Sequence, residues 1–447
     1  MTFVCVGQLT EVLPMPSNTA VTLESLAVFL IVNAYFLFDK TLKLFGLTHV
    51  HLLYASISAF GVGWICYFVG RDSVYETISV YSAAFLDSPM YAKAIVLSML
   101  AFLVYILGVI IGKALIKPAQ KNREINELED RYLSKILANI GIAFIGMMFV
   151  AFAALMVMGR ISLTMSYEQF RAAMEGSTLY AYLLLFYEAG ICFVVACGNT
   201  TQVKIGVTLF SIVAIAFFLT GNKGEVLYGL LACIGILRYK GAKIKVKYVV
   251  ALCILAFFVI PFVTATRKMG VIGSLSCLDL NFTGFFVELG TQVRCTVYVL
   301  EQMFNGSREL IWGFSYFNPI VNIVNRLIPF VDLSMAVPAS FDFKTAFASM
   351  GFNQIAEGYA NFGAIGSCLY FFITGLFLSK NEGKKLSNAA LGYFGAICAI
   401  LINVSRNKFA FFFGQVLIIS VVYFAARKIA PYRLARVARS VQANGKD

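Results

Sequence analysis

The chain has 447 residues, a mean hydropathy of +0.81, 60% hydrophobic residues and only 13% charged ones. Soluble domains carry about 25% charged residues, so the composition excludes an ordinary soluble protein and implies an all-α polytopic membrane protein. The net charge of +13 would suggest nucleic acid in a soluble chain; in a membrane chain it is first read as topology.

In chain order, the apolar segments fall near 21–38, 49–69, 92–112, 137–158, 178–197, 203–220, 224–237, 248–265, 362–379, 387–404 and 408–426. Each approaches the ~20 residues a spanning helix needs, which predicts about 11 transmembrane helices; the seventh is the shortest. No Lys or Arg precedes Lys40, so the basic start of a secretory signal is absent. The connections alternate between two sides. One side, with 39–48, 113–136, 198–204, 238–247, 380–386 and 427–447, carries 23 of the 36 Lys and Arg residues. That side is read as cytoplasmic, with the N-terminus outside and the C-terminus inside. The basic segment RKIAPYRLARVARS then lies against anionic membrane lipid, so no nucleic-acid partner is required. The charged connector 117–135 reads as a link between spans. Four regions result: an N-terminal transmembrane bundle of about eight helices (1–265), an outer region (266–361), C-terminal transmembrane helices (362–426) and a basic tail (427–447).

Within the outer region, Phe282, Phe285, Leu289, Val293, Val297, Leu300 and Phe304 recur at three- and four-residue steps. One amphipathic helix over 281–304 is expected, lying in the interface or tucked against the bundle. Glu288, Thr291, Arg294, Tyr298 and Glu301 fall on its other side. The following stretch, 306–361, reads as a long loop with Trp312, Pro319, Pro329 and Pro338; such loops often bind ligands.

Several cations stand at outward span ends: Arg160, Arg171, Lys223, Arg267, Lys268, Arg294, Arg406 and Lys408. Each could simply snorkel or pair locally, as Lys223 could with Glu225. Together they suit an anionic group at the membrane surface, since Arg binds phosphate bidentately and Lys as a point charge. Glu188 lies mid-span, where an ionisable residue either works or fixes packing. The ten cysteines show no metal spacing; Cys277 and Cys295 lie outside apolar runs and could pair. No P-loop is present, and the only histidines, His49 and His51, start the second span on the cytoplasmic side. An outer general base must then be a carboxylate, from Glu288, Asp332, Asp342 or Glu357. No metal or cofactor is expected.

The stretch GFNQIAEGYANFG, 351–363, concentrates amides, a carboxylate, a tyrosine and glycines against an apolar run. It resembles the end of the large periplasmic loop in Wzy-type O-antigen and oligosaccharide repeat-unit polymerases, where an acidic residue, an aromatic and Asn-Phe-Gly precede a helix. Here these are Glu357, Tyr359 and Asn361-Phe362-Gly363. TGNKGE, SYEQFR (166–171), FFVELGTQVRCTVYVL and SRNKF resemble that family too, although Lys223 stands where many relatives have Arg. The resemblance implies a GT-C-like architecture in a bacterial inner membrane, with the active site facing the periplasm. It implies a metal-independent glycosyltransferase that moves a growing glycan from undecaprenyl diphosphate onto a lipid-linked repeat unit. The substrate is an undecaprenyl-diphosphate-linked oligosaccharide, and a Wzz-like chain-length regulator is a possible partner. Under this reading Arg267, Arg294, Arg406 and Lys223 bind the lipid diphosphate. Glu357 is the first choice of base and Glu288 the reserve, while Tyr359, Asn361, Arg160 and Tyr167 meet substrate. The competing readings are a lipid-linked oligosaccharide flippase, which would usually show an internal repeat, and an O-antigen ligase, for which an outer-loop histidine would be expected.

Overall fold

A computed structural model of the chain describes residues 18–77, 84–117, 126–174, 177–243, 282–327 and 352–444, with isolated positions between 244 and 281. Among the described residues every regular element is helical. We label α1 Asn18–Phe38, α2 Leu47–Val69, α3 Met90–Ala114, α4 Glu127–Val157, α5 Thr178–Cys197, α6 Thr200–Leu219, α7 Gly224–Tyr239, α8 Phe282–Gly290, α9 Val293–Phe304, α10 Phe314–Leu327, α11 Gln354–Glu382, α12 Asn388–Val404 and α13 Ala410–Asn444.

Eight of these, α1 to α6 with α11 and α13, are long and apolar enough to cross a membrane, and α7 and α12 are shorter apolar helices. Ten of the eleven expected segments therefore coincide with helices; the other, 248–265, lies mostly outside the described residues. The basic tail continues α13 as helix to Asn444.

The helices pack through small residues, as membrane helices do when lipid offers no hydrophobic contrast. Gly108 and Gly112 of α3 face α11, and a Cβ built on Gly112 would come within 2.6 Å of the Leu376 carbonyl. Gly141 of α4 and Gly190 of α5 touch backbone to backbone in the same way. Larger rings fill the remaining space: Phe60 and Phe371 meet Phe102 edge-on at 5.3 and 5.2 Å.

The bundle has two ends. At one, the Glu382 carboxylate receives the Thr48 amide at 2.7 Å, and Asp39 pairs with Lys113. At the other lie Lys223 and Arg406. The helix that starts after Lys223, α7, and the helix that ends before Arg406, α12, are short, 16 and 17 residues. At 1.5 Å per residue they cover about 24–26 Å, less than a ~30 Å hydrocarbon core.

The α8–α9 pair packs at this end of the bundle. The expected single helix over 281–304 is broken between Gly290 and Val293. A Cβ on Gly290 would come within 2.8 Å of the Gly61 backbone, so the two chains approach closely there, eight residues before the end of α2. On the expected polar side Thr291 is buried and Glu288, Arg294, Tyr298 and Glu301 are half-buried, and Gln292 and Thr296 beside them are buried too. The segment is thus tucked into the bundle, and an interfacial helix with a wet face is not what forms.

The second departure concerns α11. The ninth apolar segment was expected to begin at 362, but helix starts at Gln354 and is interrupted at Phe362 and Gly363. Gly363 has φ 64° and ψ −153°, a region essentially reserved for glycine. The chain reverses there. The Ser367 hydroxyl donates to the Ile355 carbonyl at 2.6 Å, whereas twelve residues of straight helix would separate them by about 18 Å. Gly358 and Gly366 let the two pieces touch, since a Cβ on Gly358 would lie 2.6 Å from the Gly366 backbone.

Candidate active site

Three elements converge at this end of the bundle. In TGNKGE, Thr220 ends α6, Gly221 turns with φ 81°, and Lys223 occupies the position before α7. Its side chain does not cap that helix; it forms an ion pair with Glu288 of α8 at 2.6 Å. Arg406, just past α12, reaches the same carboxylate at 3.5 Å and donates to the Glu288 carbonyl at 3.2 Å. Arg294 of α9 lies within electrostatic reach of both Arg406 and Glu288. Burial lowers the Arg294 pKa from its ordinary value, and the like charge of Arg406 adds to that. Two cations from separate segments thus pair with one carboxylate, and Arg294 lies within electrostatic range of it. Glu288 and Arg406 keep 17% and 16% side-chain exposure, against 4% for Lys223, so the cluster is deep yet reachable. Tyr54 of α2 and Tyr228 of α7 face the Arg406 guanidinium, their rings 5.8 Å apart.

The 351–363 stretch grips the loop that carries Arg406. The Phe352 amide donates to the Arg406 carbonyl at 3.1 Å. The Gln354 side-chain amide donates to the Val404 and Asn407 carbonyls at 3.3 and 2.9 Å. The Glu357 carboxylate accepts the Phe409 amide at 2.8 Å, at the start of α13, and the Gln354 amide at 3.1 Å. Asn353 caps the first turn through the Ala356 amide at 2.7 Å and donates to the Gln292 carbonyl at 2.6 Å. The hairpin therefore ties α9 to the Arg406 loop, and its polar groups are largely engaged in that task.

The other expected site residues fall out as follows. Arg267 lies outside the described residues, as do Asp332, Asp342 and Cys277. Asn361 is fully buried and donates to the Ser315 hydroxyl and the Glu357 carbonyl, both at 2.7 Å. Tyr359 is half-buried and packs between the main core and the α9 side. Arg160 is exposed. Tyr167 sits on a short helix, Tyr167–Met174, anchored by Phe170 against Phe152 and Tyr180. Glu188 is buried within α5, where Gly229 of α7 passes close to its backbone. Cys295 is buried too, which holds its thiol up at about 12 and makes it a poor nucleophile. Among the described residues no group of His, Cys, Asp or Glu is placed to share a metal ion.

Sequence reasoning missed Tyr54, Tyr228 and Ser315, and it assigned Gln354, one of the amides of 351–363, no separate role. It noted Trp312 only as a loop residue. Trp312 is 67% exposed and has φ 48°, with its amide donating to the Asn361 carbonyl at 3.1 Å. A positive φ in a bulky residue is a genuine outlier, and such strain gathers at functional sites.

A family model described as O-antigen polysaccharide polymerase Wzy matches residues 2–426. The chain belongs to the Wzy family. A relative, Protein CapE of Staphylococcus aureus, is 30% identical over 278 residues. The match covers 62% of this chain and 62% of CapE, less than two-thirds of that relative's length. No solved structure matches this Wzy-family chain.

Proposed function

We propose that the protein polymerises polysaccharide repeat units, transferring a growing glycan from a polyprenyl diphosphate onto a lipid-linked repeat unit. The reaction takes place at the membrane face opposite the one rich in Lys and Arg, the periplasmic face of an inner membrane. The observation that carries this reading is that Lys223 and Arg406 both pair with Glu288, with Arg294 within electrostatic range. Desolvated cations are costly unless paired, and a diphosphate offers more anionic oxygens than one carboxylate. Lys223 also stands at the N-terminus of α7, which itself favours anions.

In this reading an entering diphosphate competes with Glu288 for Lys223 and Arg406. Glu288, relieved of its partners, takes the proton from the acceptor hydroxyl. The hydroxyl oxygen bonds to the anomeric carbon, the bond from that carbon to the diphosphate breaks, and the cations stabilise the departing charge. Glu357 then acts as a positioning residue, because its carboxylate holds the Phe409 amide three residues from Arg406. Exposed Trp312 offers a ring face to sugar.

The test is a glycan ladder from a strain lacking the gene, with and without the complementing gene. A deletion strain that retains single attached repeat units, with the ladder restored by the wild-type gene, supports polymerisation. A deletion strain with no attached repeat contradicts it and assigns export or ligation instead.

A further inference from the structure

A polyprenyl diphosphate has a long hydrocarbon tail as well as a headgroup. Between α11, α12 and α13 runs a groove of about 680 Å³. One mouth is formed by Tyr316, Phe362 and Phe409, and the other end by Asn381 and Leu386. The lining residues on the continuous part of α11, Gly366 to Asn381, span 15 helical steps, about 22 Å at 1.5 Å per residue, most of the ~30 Å hydrocarbon thickness. Leu369, Ile373 and Phe377 are exposed along it, so it opens sideways towards lipid.

We infer that this groove seats the polyprenyl tail of the lipid-linked substrate; the inference rests on the diphosphate reading above. Two observations select that occupant. The first is continuity. Phe409 lines the mouth and belongs to the same short loop as Arg406, and its amide is the one held by Glu357. The groove mouth at Phe409 is thus three residues along the chain from Arg406. The second is the lining. Eight of the eighteen lining residues are aromatic, and at the mouth Phe409 meets Tyr316 edge-on at 5.0 Å and stacks on Phe412 at 4.9 Å. Flat, rigid ring faces suit the planar, methyl-bearing double bonds of a prenyl chain. A saturated acyl chain gains less from them and loses more freedom on ordering.

The experiment places a photoreactive benzoylphenylalanine at Ile373, which is 54% exposed, in the full chain reconstituted in phospholipid nanodiscs. The probe is radiolabelled undecaprenyl diphosphate. The expected result is a crosslink to the probe that excess unlabelled undecaprenyl diphosphate competes away. Arg406→Ala should weaken it about thirtyfold, the effect of truncating a buried charge contact. Crosslinks to phospholipid alone, or to a second copy of the chain, overturn the groove assignment. Probe that copurifies in an Arg406-dependent way without reaching Ile373 also overturns the groove and leaves the diphosphate site standing. A crosslink of equal strength in wild type and Arg406→Ala keeps the groove as a prenyl seat and overturns the diphosphate reading.

Discussion

Glu382 and Glu357 stand near opposite ends of the same helix, α11, and both are buried. Each accepts a backbone amide at the start of a neighbouring helix, Thr48 for Glu382 and Phe409 for Glu357. By local chemistry they are the same device, a carboxylate at a helix N-terminus. Their surroundings separate them. Near Glu382, Asp39 pairs with Lys113 and the Arg238 side chain donates to the Leu44 carbonyl at 3.1 Å. Near Glu357 the capped segment also carries Arg406, which with Lys223 pairs with a single carboxylate, Glu288. A carboxylate cap holds helices together at either end of the bundle. Only at the Arg406 end does what it holds include a charge that we propose binds the lipid diphosphate.

Mutations can break that contrast, and their effects should fall in a definite order. Arg406→Ala removes a charge that meets the leaving group, so polymerisation should drop by about a hundredfold or more, with normal protein in the membrane. Arg406→Lys should recover only part of this, because a point charge replaces a planar fork; full recovery would exclude bidentate contact. Next comes Glu357. Glu357→Ala leaves a buried amide without its acceptor, at a cost of about 1–3 kcal/mol, and should lower activity through a displaced Arg406. Glu357→Gln keeps an acceptor oxygen and should retain measurable polymer on a gel. A ladder lost completely in Glu357→Gln, with the protein still folded, would make Glu357 the base after all. Gly363→Ala forces a side chain into a glycine-only conformation and should destabilise the hairpin by about 1–3 kcal/mol, read as earlier thermal inactivation. The smallest functional effect belongs to Glu382→Gln. It weakens a cap by about 1 kcal/mol and should leave activity per folded molecule unchanged.

Much of this was legible in the residues because charge and hydropathy are local. Ten apolar helical segments, the shortness of α7 and the cations at TGNKGE and SRNKF could all be read directly. The polar density of 351–363 was visible, but its purpose was not. Gln354 bonds to carbonyls some fifty residues away, and no periodicity encodes such a pairing. The reversal at Gly363 was hidden because Asn-Phe-Gly before an apolar run reads equally as the start of a helix. Gly358 and Gly366 mark the hairpin only once the two pieces are known to touch. Tyr54 and Tyr228 sit in apolar spans where tyrosine is common, so nothing in the sequence separates them from core residues. Glu288 looked like the wet side of an amphipathic helix, because a polar stripe facing water and one facing a buried cluster have the same spacing.

The most direct measurement is the affinity of undecaprenyl diphosphate for the purified protein in nanodiscs, compared among wild type, Arg406→Ala and Glu288→Gln. If the cations form the diphosphate site and Glu288 occupies them in its absence, Arg406→Ala should weaken binding by about thirtyfold. Glu288→Gln should bind at least as tightly as wild type, because the internal competitor is gone, while losing polymerisation. Equal affinity in wild type and Arg406→Ala, or binding lost in Glu288→Gln, would contradict the assignment of this cluster to the lipid diphosphate.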